Sequence, residues 1–139
     1  MKIAINKCFG GFDLSLEAQK LYCERKGIGF YPYKQTKYKF QDGKGEYTYI
    51  KNLEECGSII HISNTYLGDT CEDIPNDNYW AFCNVERNDK DLIDVIEILG
   101  DDASGRYGNI KIVDIPDDVI WEIDDYDGVE TVHEVHRSW

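Results

Sequence analysis

A glycine pair near the start of the chain lies where backbone N–H groups could receive a phosphate. The segment Lys7–Phe12 (KCFGGF) separates a predicted strand from a predicted helix. Glycines allow unusual backbone angles, and a turn before a helix presents N–H groups to an anion. The lysine in the segment would add positive charge, and the phenylalanines could stack on a base. A plain tight turn is the competing interpretation of the same residues. The candidate ligand-binding residues here are Lys7, Phe9, Gly10, Gly11 and Phe12.

Arginines are scarce in the second part of the chain and stand out there. Residues 56–139 contain 5 basic and 20 acidic residues, and 5 − 20 gives −15. Arg87 precedes the second predicted helix, where it suits a bound anion, but a simple capping segment with an Arg–Asp pair is the favoured interpretation, with Asn88 or Asp89 as the cap. Arg106 lies in a loop of small residues and either binds a phosphate with two donors or is a solvated loop arginine. These two segments add the candidates Arg87, Asn88, Ser104, Gly105 and Arg106.

The last residues of the chain combine aromatic and polar groups. His136, Arg137 and Trp139 predict a tail that docks on a partner subunit and completes a ligand pocket in a homo-oligomer. An ordinary edge strand, whose final aromatic residue covers the core, is the competing interpretation.

Motifs for catalysis and for metal binding are missing from the sequence. It contains neither G-x-S-x-G nor H-E-x-x-H, and its five cysteines form no C-x-x-C pair. His133 and His136 are three apart in a predicted strand, which places them on opposite faces. Pairs of adjacent aspartates could hold Mg²⁺ or Ca²⁺ but lack EF-hand spacing. We therefore expect a protein that is not an enzyme, with no metal, no cofactor and with cysteines that are buried and reduced.

Charge and hydropathy argue against several classes of partner and against a membrane-spanning segment. The chain has 139 residues and a net charge of −12, which argues against general nucleic-acid binding and against anionic membranes. It contains no signal-peptide core and no window near the roughly 18 apolar residues that a transmembrane helix needs. A cytoplasmic protein is expected.

The predicted elements form one α+β domain over residues 1–139, with two main helices against a largely antiparallel sheet. The helices follow Ser15 and Asn88 or Asp89, and each ends at a glycine. Strands are expected over 1–6, 58–63, 79–85 and 109–115, and an aromatic-rich hairpin between 30 and 50. A last hairpin pairs residues 119–123 with 129–135 through the turn Asp125–Gly128.

Two stretches resemble a family of small proteins encoded in tailed-phage and prophage genomes. They are INKCFGGFDLS (5–15) and the run 87–139, which contains KIVDIPDDVIWEIDDYDGVETV and ends in HRSW. The likeness covers roughly half of the chain, and residues 28–85 carry none of it. It implies similarity to the Thoeris anti-defence sponges, which sequester cyclic ADP-ribose-type signals without cleaving them. The candidate segments 7–12, 87–89, 104–106 and 136–139 coincide with the resembling stretches.

Two functions from different classes follow from these observations. The first is a phage anti-defence protein that binds a small anionic nucleotide signal in the bacterial cytoplasm without cleaving it. The second is an acidic inhibitor that blocks the basic nucleic-acid-binding surface of a host defence enzyme, for which one continuous acidic face is expected. A structural phage protein is a third possibility.

Overall fold

The computed structural model describes residues 1–37, 45–52 and 60–135 and confirms the α+β class. Every strand pair in these residues is antiparallel, but the strands form three separate sheets rather than the one expected. The hairpin expected between 30 and 50 should turn at residues 42–45 (DGKG), most of which lie outside the described residues. Cys56 and the tail residues His136, Arg137 and Trp139 also lie outside them. The elements are β1 (Lys2–Asn6), α1 (Leu16–Lys26), β2 (Tyr31–Lys37), β3 (Glu46–Tyr49), β4 (Ile60–Ser63), β5 (Thr70–Cys71), β6 (Tyr79–Trp80), α2 (Lys90–Leu99), β7 (Ile110–Asp114), β8 (Trp121–Tyr126) and β9 (Val129–Glu134).

The described chain groups into two compact units. Unit 1 comprises residues 1–22 and 85–139, and unit 2 comprises residues 23–84. Unit 2 is therefore an insertion in the sequence of unit 1. A single domain over 1–139 stays a prediction.

Unit 1 is built around β1. This strand pairs with β7 from Lys2↔Asp114 to Asn6↔Ile110, and β9 of the β8–β9 hairpin packs beside it. The residues of β1 after Lys2 are fully buried, because they lie inside the core with α2. The core of this unit also contains Leu14, Ala18, Leu92, Ile93, Val95, Ile96, Ala103 and Ile110.

Both helices begin and end where local signals predict. The Ser15 hydroxyl accepts the Ala18 N–H at 3.1 Å, as an N-cap does, and α1 ends before Gly27, whose φ is +72°. At α2 the cap is Asp89, which accepts the N–H groups of Asp91 and Leu92. Neither α1 nor α2, the α-helices of the described residues, is long and apolar enough to span a membrane.

Unit 2 is a five-stranded sheet with the order β5-β3-β2-β4-β6. Tyr33 lies at its centre and is fully buried. Its hydroxyl donates to the Gly68 carbonyl at 2.9 Å and accepts the Leu67 N–H at 2.8 Å. The rings of Tyr49 and Tyr66 meet edge to face at 5.3 Å. Aromatic contacts and these hydrogen bonds therefore hold the loop after β4 against one face of the sheet.

Two predicted elements are wrong in extent. The strand expected over 79–85 ends at Trp80, because among the described residues β6 pairs with β4 alone, and a 3₁₀ turn at Phe82–Asn84 begins two residues later. The last hairpin turns at Asp127-Gly128, later than expected, and β8 continues to Tyr126. Both turn residues have positive φ, +54° and +93°, which is the two-residue turn that suits the twist of antiparallel strands.

His61 of β4 makes part of the stability of the protein depend on pH. Its ring lies 5.4 Å from Tyr47 and 6.0 Å from Tyr79, and burial lowers the pKa of His61 below its usual 6.5. Between the two pKa values the unfolded chain binds the proton and the folded chain does not. The free energy of unfolding should therefore fall as the pH drops below about 6.5 and level off below the folded-state pKa.

Urea titrations at pH 7.5 and pH 5.5 check this expectation against His61→Gln, which cannot titrate. The stability difference between the two pH values should be smaller in the variant. An equal difference in both proteins would contradict a role for His61, since all other ionisable groups are common to the two chains.

Candidate functional site

Two glycine-rich segments that are far apart in the sequence meet in unit 1. A β-carbon built on Gly10 would lie 1.6 Å from the carbonyl oxygen of Tyr107, so residue 10 packs directly on the backbone of the 104–108 loop. The Cys8 thiol donates to the same carbonyl at 3.3 Å. The structure therefore brings together two of the predicted candidate segments. We call the surface formed by residues 7–13, 104–108 and 127–128 the glycine junction.

Asp13 connects the two segments from the other end. Its carbonyl accepts the Gly105 N–H at 2.7 Å, and its carboxylate accepts the Tyr107 N–H at 3.3 Å. A β-carbon on Gly105 would lie 2.2 Å from that carboxylate. At Gly10 and Gly105 another segment approaches so closely that a β-carbon would collide with it, which explains why these two positions are glycine.

The buried side chain of Asn6 joins two parts of the junction to the residue that follows the third. Its amide nitrogen donates to the carbonyls of Cys8 at 2.7 Å and Gly128 at 2.6 Å, and its amide oxygen accepts the Asn109 N–H at 2.8 Å. A β-carbon on Gly128 would lie 2.7 Å from the Gly11 nitrogen, so the hairpin turn packs against the glycine pair. Asn6 is fully buried, and these hydrogen bonds set the positions of the surrounding loops.

Arg87 interacts with the interior of unit 1. Its guanidinium makes a two-donor contact with the buried Glu130 carboxylate at 2.6 and 2.9 Å and donates to the Ala4 carbonyl at 3.3 Å. The guanidinium carbon lies 3.6 Å from the ring centroid of Phe12. Glu130 also accepts the Asn6 N–H at 2.8 Å. These contacts give Arg87 and Phe12 an evident structural role beside their predicted role in ligand binding.

The exposed aromatic and cationic residues of the glycine junction come from its two glycine-rich segments. Phe9 is 75% exposed and Tyr107 is 63% exposed. The Arg106 guanidinium carbon lies 5.5 Å from the Tyr107 ring centroid. Lys7 is also exposed, while its backbone N–H donates to the Asn109 carbonyl at 2.8 Å. A large aromatic surface and two cations are thus available to a molecule from solvent.

The remaining predicted candidates are placed differently. Asn88 is exposed and its amide lies 3.7 Å from the Met1 sulfur. The Ser104 hydroxyl accepts the Ile110 N–H at 2.9 Å, so it stabilises the start of β7. His136, Arg137 and Trp139 lie outside the described residues.

Comparison with protein-family models, with curated proteins and with solved structures found no match for this chain. The resemblance to phage proteins therefore stays a prediction.

Sequence reasoning missed Asn6, Asp13 and Glu130, which position the candidate residues. Their partners are distant in sequence: 124 residues separate Asn6 from Glu130, and 94 separate Asp13 from Tyr107. Strand alternation gave no signal for Asn6, because it places residue 6 on the face of Lys2 and Ala4, opposite Ile3 and Ile5, and does not predict that it is buried. The described cysteines Cys8, Cys23, Cys71 and Cys83 are free thiols, but the expectation that the thiols are buried holds only for Cys23 among them and is wrong for exposed Cys83 and for partly exposed Cys8 and Cys71. Burial raises the pKa of Cys23 to about 12.

Proposed function

We propose that this protein binds a small anionic nucleotide on the glycine junction and sequesters it without cleaving it. The observation that carries the proposal is the packing of Gly10 on the Tyr107 carbonyl, which brings the segment that carries exposed Phe9 onto the segment that carries exposed Arg106 and Tyr107. In keeping with the phage resemblance, the nucleotide is an immune signal of the cyclic ADP-ribose type in the cytoplasm of a bacterial host. The binding protein is a homo-oligomer in this proposal.

The aromatic residues supply the first part of the binding energy. Stacking of a base on an aromatic side chain is worth about 1–3 kcal/mol. Phe9 and Tyr107 have most of their surface in water, so a stacked base would remove apolar area from solvent at little cost to the fold. The Asn6 and Asp13 hydrogen bonds hold the backbone of both segments in place, which reduces the entropy that binding must overcome.

Arg106 and Lys7 supply the charge that an anion needs. Unit 1 contains 8 basic and 18 acidic residues, and 8 − 18 gives −10. This field repels an anion at long range, so phosphate binding has to depend on cations within hydrogen-bond distance. A guanidinium can donate two parallel hydrogen bonds to a phosphate. Stacking and paired hydrogen bonds hold a ligand without breaking any of its bonds, which fits sequestration rather than turnover.

Removal of the Phe9 ring and removal of the Arg106 guanidinium should each weaken nucleotide binding. We expect Phe9→Ala and Arg106→Ala each to raise the Kd for the bound nucleotide about tenfold or more, since each interaction is worth about 1–3 kcal/mol. Calorimetric titration of the purified chain with ADP-ribose, cyclic ADP-ribose and a cyclic dinucleotide provides the measurement. Native mass spectrometry of the same samples reports the number of subunits and the retained nucleotide.

Lys20→Ala is the matched control, because it removes an exposed cation from α1 and should leave the Kd unchanged. Heat denaturation of the complex should release the nucleotide with its original mass. The proposal fails if none of the three probes binds, if the bound nucleotide is recovered cleaved, or if Lys20→Ala weakens binding as much as Arg106→Ala.

One observation favours the acidic-inhibitor alternative. Residues 112–135 contain nine carboxylates and no lysine or arginine, and all of these carboxylates except Glu130 are exposed. Exposed Ile120 and Tyr126 lie in the same stretch. A basic protein surface would be the partner, and its binding would weaken steeply with salt. Insensitivity of such a complex to Phe9→Ala, which leaves these carboxylates intact, distinguishes this function from nucleotide binding.

A further inference from the structure

We propose that the solvent-facing side of the β8–β9 hairpin binds a divalent transition-metal ion through Glu122, Asp124 and His133. The side chains of these three residues offer ligand atoms that all lie within 4.8 Å of one another. The inference does not depend on nucleotide binding at the glycine junction.

The strand register brings the three residues together. Glu122 and Asp124 are two apart on β8 and share one face, and His133 on β9 lies directly opposite Glu122. The His133 imidazole is held between the two carboxylates: Nε2 lies 2.6 Å from Glu122 Oε1, and Nδ1 lies 3.1 Å from Asp124 Oδ2. This face looks away from Glu130, which belongs to the opposite side of the hairpin and is buried with Arg87.

The two carboxylates and one imidazole determine the class of metal. Mg²⁺ and Ca²⁺ prefer sites made only of oxygen, whereas imidazole nitrogen favours Zn²⁺ and its first-row neighbours. The side chains of Glu122, Asp124 and His133 are 55%, 70% and 39% exposed, so small rotations can direct one oxygen or nitrogen of each to a common ion. Water would complete the coordination, because three protein ligands leave positions open.

The surrounding charge strengthens the attraction for a cation. Asp125 and Asp127 follow on the same hairpin, and residues 112–135 contain no lysine or arginine to compete for the carboxylates. Such a field attracts any cation, so affinity alone does not identify a site. Selectivity for Zn²⁺ over Mg²⁺ and dependence on His133 distinguish three defined ligands from a diffuse acidic surface.

Calorimetric titration of the full chain with Zn²⁺ and with Mg²⁺ tests the inference. The accessible thiols are first blocked, because exposed Cys83 and part-exposed Cys8 could bind Zn²⁺ themselves. We expect Zn²⁺ to bind, Mg²⁺ to bind far more weakly, and His133→Gln and Asp124→Asn each to weaken Zn²⁺ about tenfold or more, by analogy with the loss of groups that support a metal. Glu134→Gln is the matched control, since it removes one carboxylate from the strand position next to His133 that faces the other way.

Paramagnetic broadening by Mn²⁺ in the NMR spectrum of the unmodified sequence gives a second measurement that needs no variant. Signals of residues 122–124 and 131–133 should broaden first. The inference is overturned if Mg²⁺ binds as tightly as Zn²⁺, if Glu134→Gln weakens Zn²⁺ as much as Asp124→Asn, or if broadening spreads evenly over the acidic residues of 112–127.

Discussion

Replacement of Arg87 by methionine should lower the free energy of unfolding by about 3–5 kcal/mol, the cost of removing one partner of a buried ion pair. The variant leaves the Glu130 carboxylate, whose side chain is 6% exposed, without its guanidinium. The Asn6 N–H remains as a donor to Glu130, but the contact with the Phe12 ring and the hydrogen bond to Ala4 are lost. Urea denaturation followed by circular dichroism measures the change.

Two comparisons show whether burial causes this loss. Arg87→Met/Glu130→Leu removes both charges and should recover much of the stability, because no unpaired charge stays buried. Lys111→Met breaks an exposed pair with Asp101 and should cost about 1 kcal/mol or less. If Arg87→Met and Lys111→Met have similar effects, the buried pair is not a main support of unit 1.

Gly10→Ala is expected to be the most damaging small substitution at the glycine junction. The new methyl group would lie 1.6 Å from the Tyr107 carbonyl oxygen, so one of the two backbones must move. Forcing extra volume into a packed site costs about 1–3 kcal/mol, and more where the obstacle is backbone. Nucleotide binding should be lost as well, since the two segments that carry Phe9 and Tyr107 would be pushed apart. Thermal unfolding and the calorimetric titration report the two effects.

Gly105→Ala is a suitable comparison because the atoms in its way belong to the Asp13 side chain, which can rotate. We expect a smaller loss of stability than for Gly10→Ala and partial retention of binding. Equal losses in the two variants would show that the methyl group itself is responsible, and not the backbone contact at Tyr107.

The helices were predictable because their signals are local. Ser15, Asp89, Gly27 and Gly100 act within one turn of the helix ends that they define, so spacing alone locates α1 and α2. Strand extent was less predictable, since it depends on the partner. The 79–85 segment has strand-like residues, yet within the described part of the chain Tyr79 and Trp80 alone pair with β4.

The candidate site was predicted in part, and the limit has a physical cause. Glycine-rich segments and isolated arginines are visible as residue types, and two of the segments do meet. Arg87 contacts the interior because it pairs with Glu130. The position of Glu130 relative to Arg87 follows from tertiary packing, and no sequence motif indicates it. Similarly, Glu122 and Asp124 share a face by strand alternation, but their proximity to His133 depends on a hairpin register that shifts with the turn at Asp127-Gly128.

The interruption of unit 1 by unit 2 imposes an order on folding during synthesis. Strand β1 leaves the ribosome well before its partner β7, which begins at Ile110, after all of residues 23–84 have been made. The strands of unit 2 have their partners within that insertion, so its sheet can form before the apolar residues Ile3, Ala4 and Ile5 of β1 are buried. Unit 1 closes last, and until then its first strand is exposed to aggregation. The short length of β1 and Lys2 at its start limit that risk in the nascent chain.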